Sequence, residues 1–499
     1  LELVMQLLPS ALDHERASVP ASDTPFPQAH VAVIGGGFCG TFFAAQLAHY
    51  SRHPLSISVI EPRAALGGGV AYSTPDLAHR INVPASRMTL FPETPTDFDE
   101  WFRRGGGLDA DPEALWADGA AYPRRAVFGR YVEHIIDRRR QERPDVTITH
   151  IRDAANSVEL AAGSYRIHLA GGGVVEAAIV ILATSHPQPG LPALARPLAG
   201  DAGLIANPWQ QDALAAVAPD EDVLIIGTGL TMADVVASLT RRGHRGRITA
   251  FSRRGLLPRG HAKTPVPIPF AWYASHTPPA GLSPLLRQIR RQIAETTLPW
   301  QSVFDDVRAS GQTLWQQLGH ADRRRFLRHL RVYWDSHRYR IAPQIEKILA
   351  DKQQDGSLQV LAASLVSLRR AGDHIEGVVR PRRAPAGGLN AVRVDRVVIT
   401  TGPAHGTVVE QNPALRSLAA SGLLQADALG LGIKVDDQSR VIDRTGAANP
   451  TLRVVGPLAR EQFGELMGLP QVAAQPDSVA DRVAANLNAY PPEAAIPLR

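Results

Sequence analysis

The strongest constraint on this chain is a pattern it contains twice: a short apolar run, a glycine-rich turn and a helix-forming segment. The first copy is HVAVIGGGFCGTFFAAQLAHY and the second is VLIIGTGLTMADVVASL. Val31 to Ile34 lack polar alternation, which suits a parallel strand covered on both faces. Gly35-x-Gly37-x-x-Gly40 follows at once. Such glycines allow a tight turn and let the backbone approach a pyrophosphate, which the next helix N-terminus stabilises. An amphipathic helix is expected from about Thr41 to Tyr50. A second apolar run, LSISVIEPR, ends in Glu61, roughly 20 residues on, where an acid receives ribose hydroxyls.

The second copy differs at both ends. Gly227-x-Gly229 is present, but Met232 stands in the third glycine position, so helix and strand are expected to sit further apart. The strand that follows, GRITAFSRRG, ends in Ser252, Arg253 and Arg254 rather than in an acid. A guanidinium grips a 2′-phosphate through paired, charge-assisted hydrogen bonds, whereas Glu61 would repel it. The first loop is therefore expected to take a nucleotide with a free ribose and the second NADPH.

Each copy is followed by alternating strands, an apolar strand and a small-residue turn. The first passes through SYRIHLAGGGVVEAAIVILATSHP and the second through HIEGVVRP and VDRVVITTGPA, with turns at Ala183-Thr184-Ser185 and Thr400-Thr401-Gly402. The expected fold class is α/β: two Rossmann-like domains with β-meander insertions, the first domain discontinuous, plus a helical insertion. Two dinucleotides in one chain imply electron transfer between them.

Composition narrows the function. At 499 residues, 44% hydrophobic and 20% charged, the chain is long enough for two or three soluble domains. Lys and Arg exceed Asp and Glu by only 53 to 48, spread along the sequence, and basic arms are missing, so no nucleic-acid partner is expected. Cys39 is the sole cysteine. It allows neither an intramolecular disulfide nor a cysteine-cluster metal site, and it fits a cytoplasmic setting. No metal site is expected. Residues 1–28 read as a tail and a poor signal peptide, and no apolar run approaches the ~18 residues that span a membrane.

With these residues in hand, the chain resembles the two-dinucleotide-binding flavoproteins. Within them it is most similar to the bacterial FAD-NAD(P)-binding group, related to class B flavin monooxygenases and N-hydroxylases. The resemblance runs from His30 to about Val483 and is carried by GGGVAYSTPDLAHRINVPASRMTLFPE, YPRRAVFGRYV, GTGLTMADV, SRRGLLPRGH, YWDSHRYRIAP, VVITTGP and VVGPLAR. It implies FAD lying across Gly35, Gly37, Gly40 and Glu61, with Gly69, Gly402, Gly456 and Pro457 also on FAD. It implies NADPH on Gly227, Gly229, Arg253 and Arg254. Gly68-Gly69 before Val70-Ala71-Tyr72 matches a turn against the flavin, and Asn82 matches an asparagine at the flavin and nicotinamide edge. The chain departs from the relatives in lacking FxGxxxH before the second loop, where only His186 lies nearby. It also reads QFGELMGLP where an aromatic-rich run is usual.

Leu256 to Ala350 reads as an insertion. Its proline-rich start cannot form a regular helix or central strand. In DRRRFLRHLRVYWDSHRYR, the residues Phe326, Leu327, Leu330, Tyr333 and Trp334 recur at helical spacing. Two expectations stand side by side: a lid whose Trp334, His337 and Arg338 form a polar substrate pocket, or a cap that only packs on the scaffold. The expected domains are 29–205 (FAD, first part), 206–350 (NADP, with the insertion) and 351–490 (FAD, return part).

Disulfide reductases share the plan but need a cysteine pair beside the flavin. What remains is an FAD- and NADPH-dependent oxidoreductase. The leading expectation is a monooxygenase that hydroxylates a small amine-type substrate through a C4a-peroxyflavin, with molecular oxygen as co-substrate and no membrane partner. A reductase serving an organic acceptor or a partner protein stays open, as does a non-catalytic redox sensor.

Overall fold

The computed structural model describes residues 30–184, 187, 189–263, 272–383 and 388–489, apart from the side chains of Ala274, Ser275 and His405. The expected tail at 1–28 and His186 lie outside the described residues.

The first glycine loop joins β1 (His30–Ile34) to α1 (Phe38–Tyr50), and β2 (Leu55–Ile60) follows. Helix α2 (Arg125–Glu142) leads into β3 (Val146–Ile151). A separate three-stranded antiparallel sheet of β4 (Ala155–Ala161), β5 (Ser164–Leu169) and β6 (Val174–Ala177) precedes β7 (Ile179–Leu182). Strand β1 is central: it is parallel to β2, with Val31 opposite Ile57, and to β7, with Val31 opposite Ile179. Val31, Ala32 and Val33 are fully buried, as their unbroken apolar run requires.

The second unit starts with β8 (Leu204–Ile205) and repeats the plan with β9 (Val223–Ile226), α3 (Leu230–Arg241) and β10 (Ile248–Ser252). The insertion forms α4 (Leu282–Glu295), α5 (Trp300–Ala309), α6 (Gly311–Gln317) and α7 (His320–Arg325). After a π-helical turn (Phe326–Leu330) it continues as α8 (Arg331–Arg338) and α9 (Pro343–Gln354). Strands β11 (Leu358–Ala371), β12 (His374–Pro381), β13 (Asn390–Val394) and β14 (Arg396–Ile399) complete a sheet of order β13-β12-β11-β10-β9-β14-β8. Finally β15 (Arg440–Ile442) and β16 (Ala448–Val454) return to the first sheet, of order β15-β16-β7-β1-β2-β3. The short α10 (Arg460–Phe463) and long α11 (Gln471–Ala489) close the chain.

Three expectations are corrected. The first part of β11 is parallel to β10, with Ile248 opposite Leu358, so the meander after residue 351 extends the second sheet; the return to the first follows β14. Strand β8, expected at the end of the first domain, pairs with β14 of the second sheet. The two crossings between sheets meet at a bridge of Pro189 and Pro403. Helix α1 is not amphipathic: Phe38 and the run from Gly40 to Ala48 are buried, because α11 covers the side away from the sheet. Gln46 Nε2 and the Tyr50 hydroxyl both donate to Asp477 of α11, the Tyr50 bond at 2.9 Å, while Gln46 Oε1 is buried without a partner among the described residues.

Candidate functional site: two dinucleotide cradles and a helical cap

Both glycine loops are locked by the same device. Gly35 has φ +108°, and a Cβ there would lie 2.4 Å from the Ala183 carbonyl oxygen; Gly227 has φ +124°, and its Cβ would lie 2.6 Å from that of Thr400. A side chain is excluded twice, by the backbone angle and by the crossing turn. The two small-residue turns seen in the sequence are thus the walls against which the two loops fold. Gly40 packs closer still, with a Cβ only 1.9 Å from Gly35 O.

In the first cradle Thr41 Oγ1 donates to Gly36 O and accepts from Gly67 N–H, both at 2.9 Å. That tie brings the Gly67–Gly69 turn onto the loop, where a Cβ on Gly37 would approach Gly69 Cα at 3.3 Å. Glu61 ends β2 and is 3% exposed. It accepts from Gly36 N–H at 3.0 Å and from the Arg63 backbone N–H and guanidinium at 3.0 and 2.9 Å. Thr184 Oγ1, in the crossing turn beside Gly35, is buried with no partner among the described residues. A glycine cradle, a fixed acid and an orphaned hydroxyl fit the pyrophosphate and ribose of FAD.

In the second cradle, open space surrounds the Cβ position of Gly229, so this loop can receive a backbone-hugging ligand. Thr228 Oγ1 sits 2.8 Å from Ser252 Oγ and donates to Leu256 O at 2.6 Å, tying the loop to the end of β10. Met232 is fully buried in the core under this loop. Arg253 is exposed, and Arg254 half-buried, at the strand end that the sequence indicates. Arg254 donates to the Tyr333 hydroxyl of α8 at 2.7 Å. The cap therefore reaches the second cradle.

Gly456, with φ +85°, follows β16 beside the first cradle; a Cβ there would meet Cys39 Sγ at 2.6 Å. Pro457 opens the next turn. Gly402 is placed differently from the resemblance: β14 pairs with β9, so it follows the wall of the second loop rather than of the first. Asn82 carries both a backbone and a side-chain tie. Its carbonyl accepts from His261 Nε2 at 2.8 Å, and its Oδ1 accepts from Ala342 N–H at 3.3 Å at the start of α9. Burial pushes the His261 pKa down to about 4, so the ring is neutral with its proton on Nε2.

Trp334 and His337 both stack on Phe304 of α5, with centroids 5.7 and 5.1 Å apart, and Trp300 packs edge-on against His337. Arg338 joins this group through Glu465. Its Nε donates to Glu465 Oε1 at 3.0 Å, and Trp334 Nε1 reaches Glu465 Oε2 at 3.4 Å. The five apolar residues of the expected helical face are at most half-buried, because the π turn at Phe326–Leu330 shifts the face partway along.

Thr41 and Glu465 gave no sequence signal as contributors, while Thr184 and Tyr333 were legible only as a turn residue and a helix-face residue. Thr41 looks like an ordinary helix residue, and Glu465 matters only through a partner 127 positions away. A cavity of about 460 Å³ lined by Leu77, Trp116, Thr240 and Ile348 lies at the far end of α3 from Gly229, roughly 18 Å away for a helix of this length. It is not part of either cradle. Among the described residues no acid or histidine cluster could hold a metal, and no helix is long and apolar enough to cross a membrane.

Residues 32–187 match the family model for FAD-NAD(P)-binding domains. No curated protein matches the sequence significantly. Among solved structures, the reduced ornithine hydroxylase of Pseudomonas aeruginosa superposes with a TM-score of 0.61 at 15% identity, covering 93% of this chain and 100% of that one. The ornithine N-hydroxylase of Kutzneria sp. 744, in a complex with reduced FAD, NADP+ and L-ornithine, gives 0.58 at 16% identity, with 93% and 100% covered. The cadaverine monooxygenase of Erwinia amylovora, bound to FAD, gives 0.56 at 14%, with 95% and 98% covered. The chain therefore has the fold of the two-dinucleotide-binding flavoproteins, and its residues 32–187 match the FAD-NAD(P)-binding family model.

Proposed function

We propose that this protein is an FAD-dependent, NADPH-using monooxygenase that hydroxylates the amine nitrogen of a small substrate. The observation that carries the reading is the unlike pair of cradles, with buried Glu61 closing one and Arg253 and Arg254 closing the other. They stand on a fold shared, over nine-tenths of this chain, with hydroxylases of ornithine and cadaverine.

Each part of the chain has a task in this reading. Gly35, Gly37 and Gly40 take the FAD pyrophosphate at the α1 N-terminus, Glu61 accepts from its ribose hydroxyls, and Thr184 supplies a further hydroxyl. Gly227 and Gly229 take the NADPH pyrophosphate, and Arg253 and Arg254 its 2′-phosphate. Bound FAD supplies the two-electron and oxygen chemistry. Asn82, held by α9, offers its free amide N–H to the nicotinamide or flavin edge. The aromatic group of Trp300, Phe304, Trp334 and His337 keeps water from the reacting centre.

The test is spectral. The flavin-loaded protein is reduced with NADPH without oxygen, and air is then admitted with and without L-ornithine, L-lysine or cadaverine. A slow return through a blue-shifted transient, with a hydroxylamine product, supports the reading. Immediate reoxidation with stoichiometric hydrogen peroxide and no hydroxylated amine moves the assignment to a reductase.

A further inference from the structure

Where helix α8 of the cap meets the return segment, three guanidinium groups lie around two carboxylates. Arg331 holds Asp335 at 3.3 Å and Arg338 holds Glu465 at 2.6 Å. Arg460 is the third, and it has no ion pair or side-chain hydrogen bond among the described residues. It is only 5% exposed, and its Nε and Nη2 are buried without a partner. Asp335, Glu465, Arg331 and Tyr339 all lie close enough to act on its charge, but each carboxylate already has its own arginine. Burial lowers the pKa of Arg460, yet a guanidinium stays protonated in proteins. A buried cation without a counter-ion is costly, and nature rarely leaves one unless a ligand completes it.

The position of Arg460 indicates which ligand. It follows Gly456 and Pro457 just beyond the carboxyl end of β16, which is parallel to β7 as β7 is to β1. Ligands of open α/β sheets bind outside that edge. The short helix is pinned from the cap side: Trp315 Nε1 donates to Glu461 O at 2.7 Å, and a Cβ on Gly464 (φ +73°) would lie 2.7 Å from the Trp315 ring. Arg460 is thus held under the cap rather than free to swing into water.

We infer that Arg460 receives a carboxylate of the substrate, so that the protein acts on an amine that also bears a carboxylate rather than on a plain diamine. The inference rests on the amine-hydroxylation reading for the amine end only. A planar guanidinium pairs with a carboxylate through two parallel hydrogen bonds, and the free Nε and Nη2 edge offers that geometry. The other source of an oxyanion at this place is a cofactor, and the test separates the two.

Full-length, FAD-loaded wild type, Arg460→Gln and Arg460→Lys are titrated with glutarate, L-lysine and cadaverine, following the flavin difference spectrum and the unfolding midpoint. Wild type should bind glutarate and L-lysine about tenfold or more tighter than cadaverine. Arg460→Gln should erase that preference, with flavin content and the rate of flavin reduction by NADPH unchanged, and Arg460→Lys should keep part of it. Wild-type glutarate binding also tests the idea should the glutamine variant fail to fold. Equal binding of all three probes by wild type overturns the inference. So does a glutamine variant that loses flavin or NADPH while still binding glutarate, since Arg460 would then serve the cofactor. Hydroxylation of cadaverine as efficient as that of L-lysine sinks the inference but leaves the amine reading intact. Arg460-dependent glutarate binding with no amine oxidised sinks the amine reading alone.

Discussion

The Arg254 guanidinium donates to the Tyr333 hydroxyl at 2.7 Å and lies 4.8 Å from the centre of its ring. A residue at the end of the second unit's second strand is thus oriented by the cap. Holding one face of the guanidinium against an aromatic ring leaves its other edge free for a phosphate. Arg253→Ala with Arg254→Ala should raise the KM for NADPH by about tenfold or more while that for NADH moves little. Tyr333→Phe should give a smaller shift of the same sign. Steady-state kinetics with both nucleotides checks this, and equal changes for NADPH and NADH would refute the 2′-phosphate assignment.

Gly37 faces the Gly67–Gly69 turn with only 3.3 Å between its Cβ position and Gly69 Cα. Gly37→Leu should push the two segments apart and yield folded, colourless protein. The ratio of flavin to protein absorbance, read beside circular dichroism, decides it; a fully flavin-loaded variant would remove FAD from the first loop.

Arg338 and Glu465 join the cap to the return segment through side chains 4% and 9% exposed. Arg338→Met leaves the buried carboxylate without its arginine, and a loss of about 3–5 kcal/mol in unfolding free energy is expected. Urea denaturation monitored by tryptophan fluorescence would read it. An unchanged midpoint would mean that the pair is not a structural tie.

His261 is half-buried, its pKa depressed by desolvation from 6.5 to about 4, and its Nε2–H donates to Asn82 O. The unfolded chain therefore binds more protons than the folded one between those values. The contribution of this group is present above pH 6.5 and is lost as pH falls through 4, on the order of 3 kcal/mol in all. Asp306, with its pKa raised to about 6, works in the opposite direction over part of this range. Comparing wild type with His261→Gln at pH 7.5 and 5 isolates the histidine: the wild type should lose more stability on acidification than the variant.

Both glycine loops, their strands and helices, and the contrast of Glu61 with Arg253 and Arg254 were legible in the sequence. Those features rest on local rules, namely glycine at positive φ, unbroken apolar strands and the fixed spacing from loop to strand end. The course of the meander was not legible. Strand β11 is 14 residues long, and its first part alone pairs with β10, a choice that no residue type announces. The same holds for α1, whose sequence fits a half-exposed helix until α11, more than 400 positions on, covers it.

What the sequence determined by itself is therefore the number of glycine-loop cradles and the residues at their strand ends, because each loop, strand and helix is built within one stretch of chain. Tertiary structure alone decided which turn walls which loop, which sheet owns the meander, and that Arg338 is paired with a carboxylate while Arg460 is paired with none among the described residues. Those outcomes depend on pairings between residues more than 100 positions apart, such as Gly227 with Thr400 and Arg338 with Glu465. Burial and hydrogen bonding over such distances are set by packing, which leaves no periodicity to read.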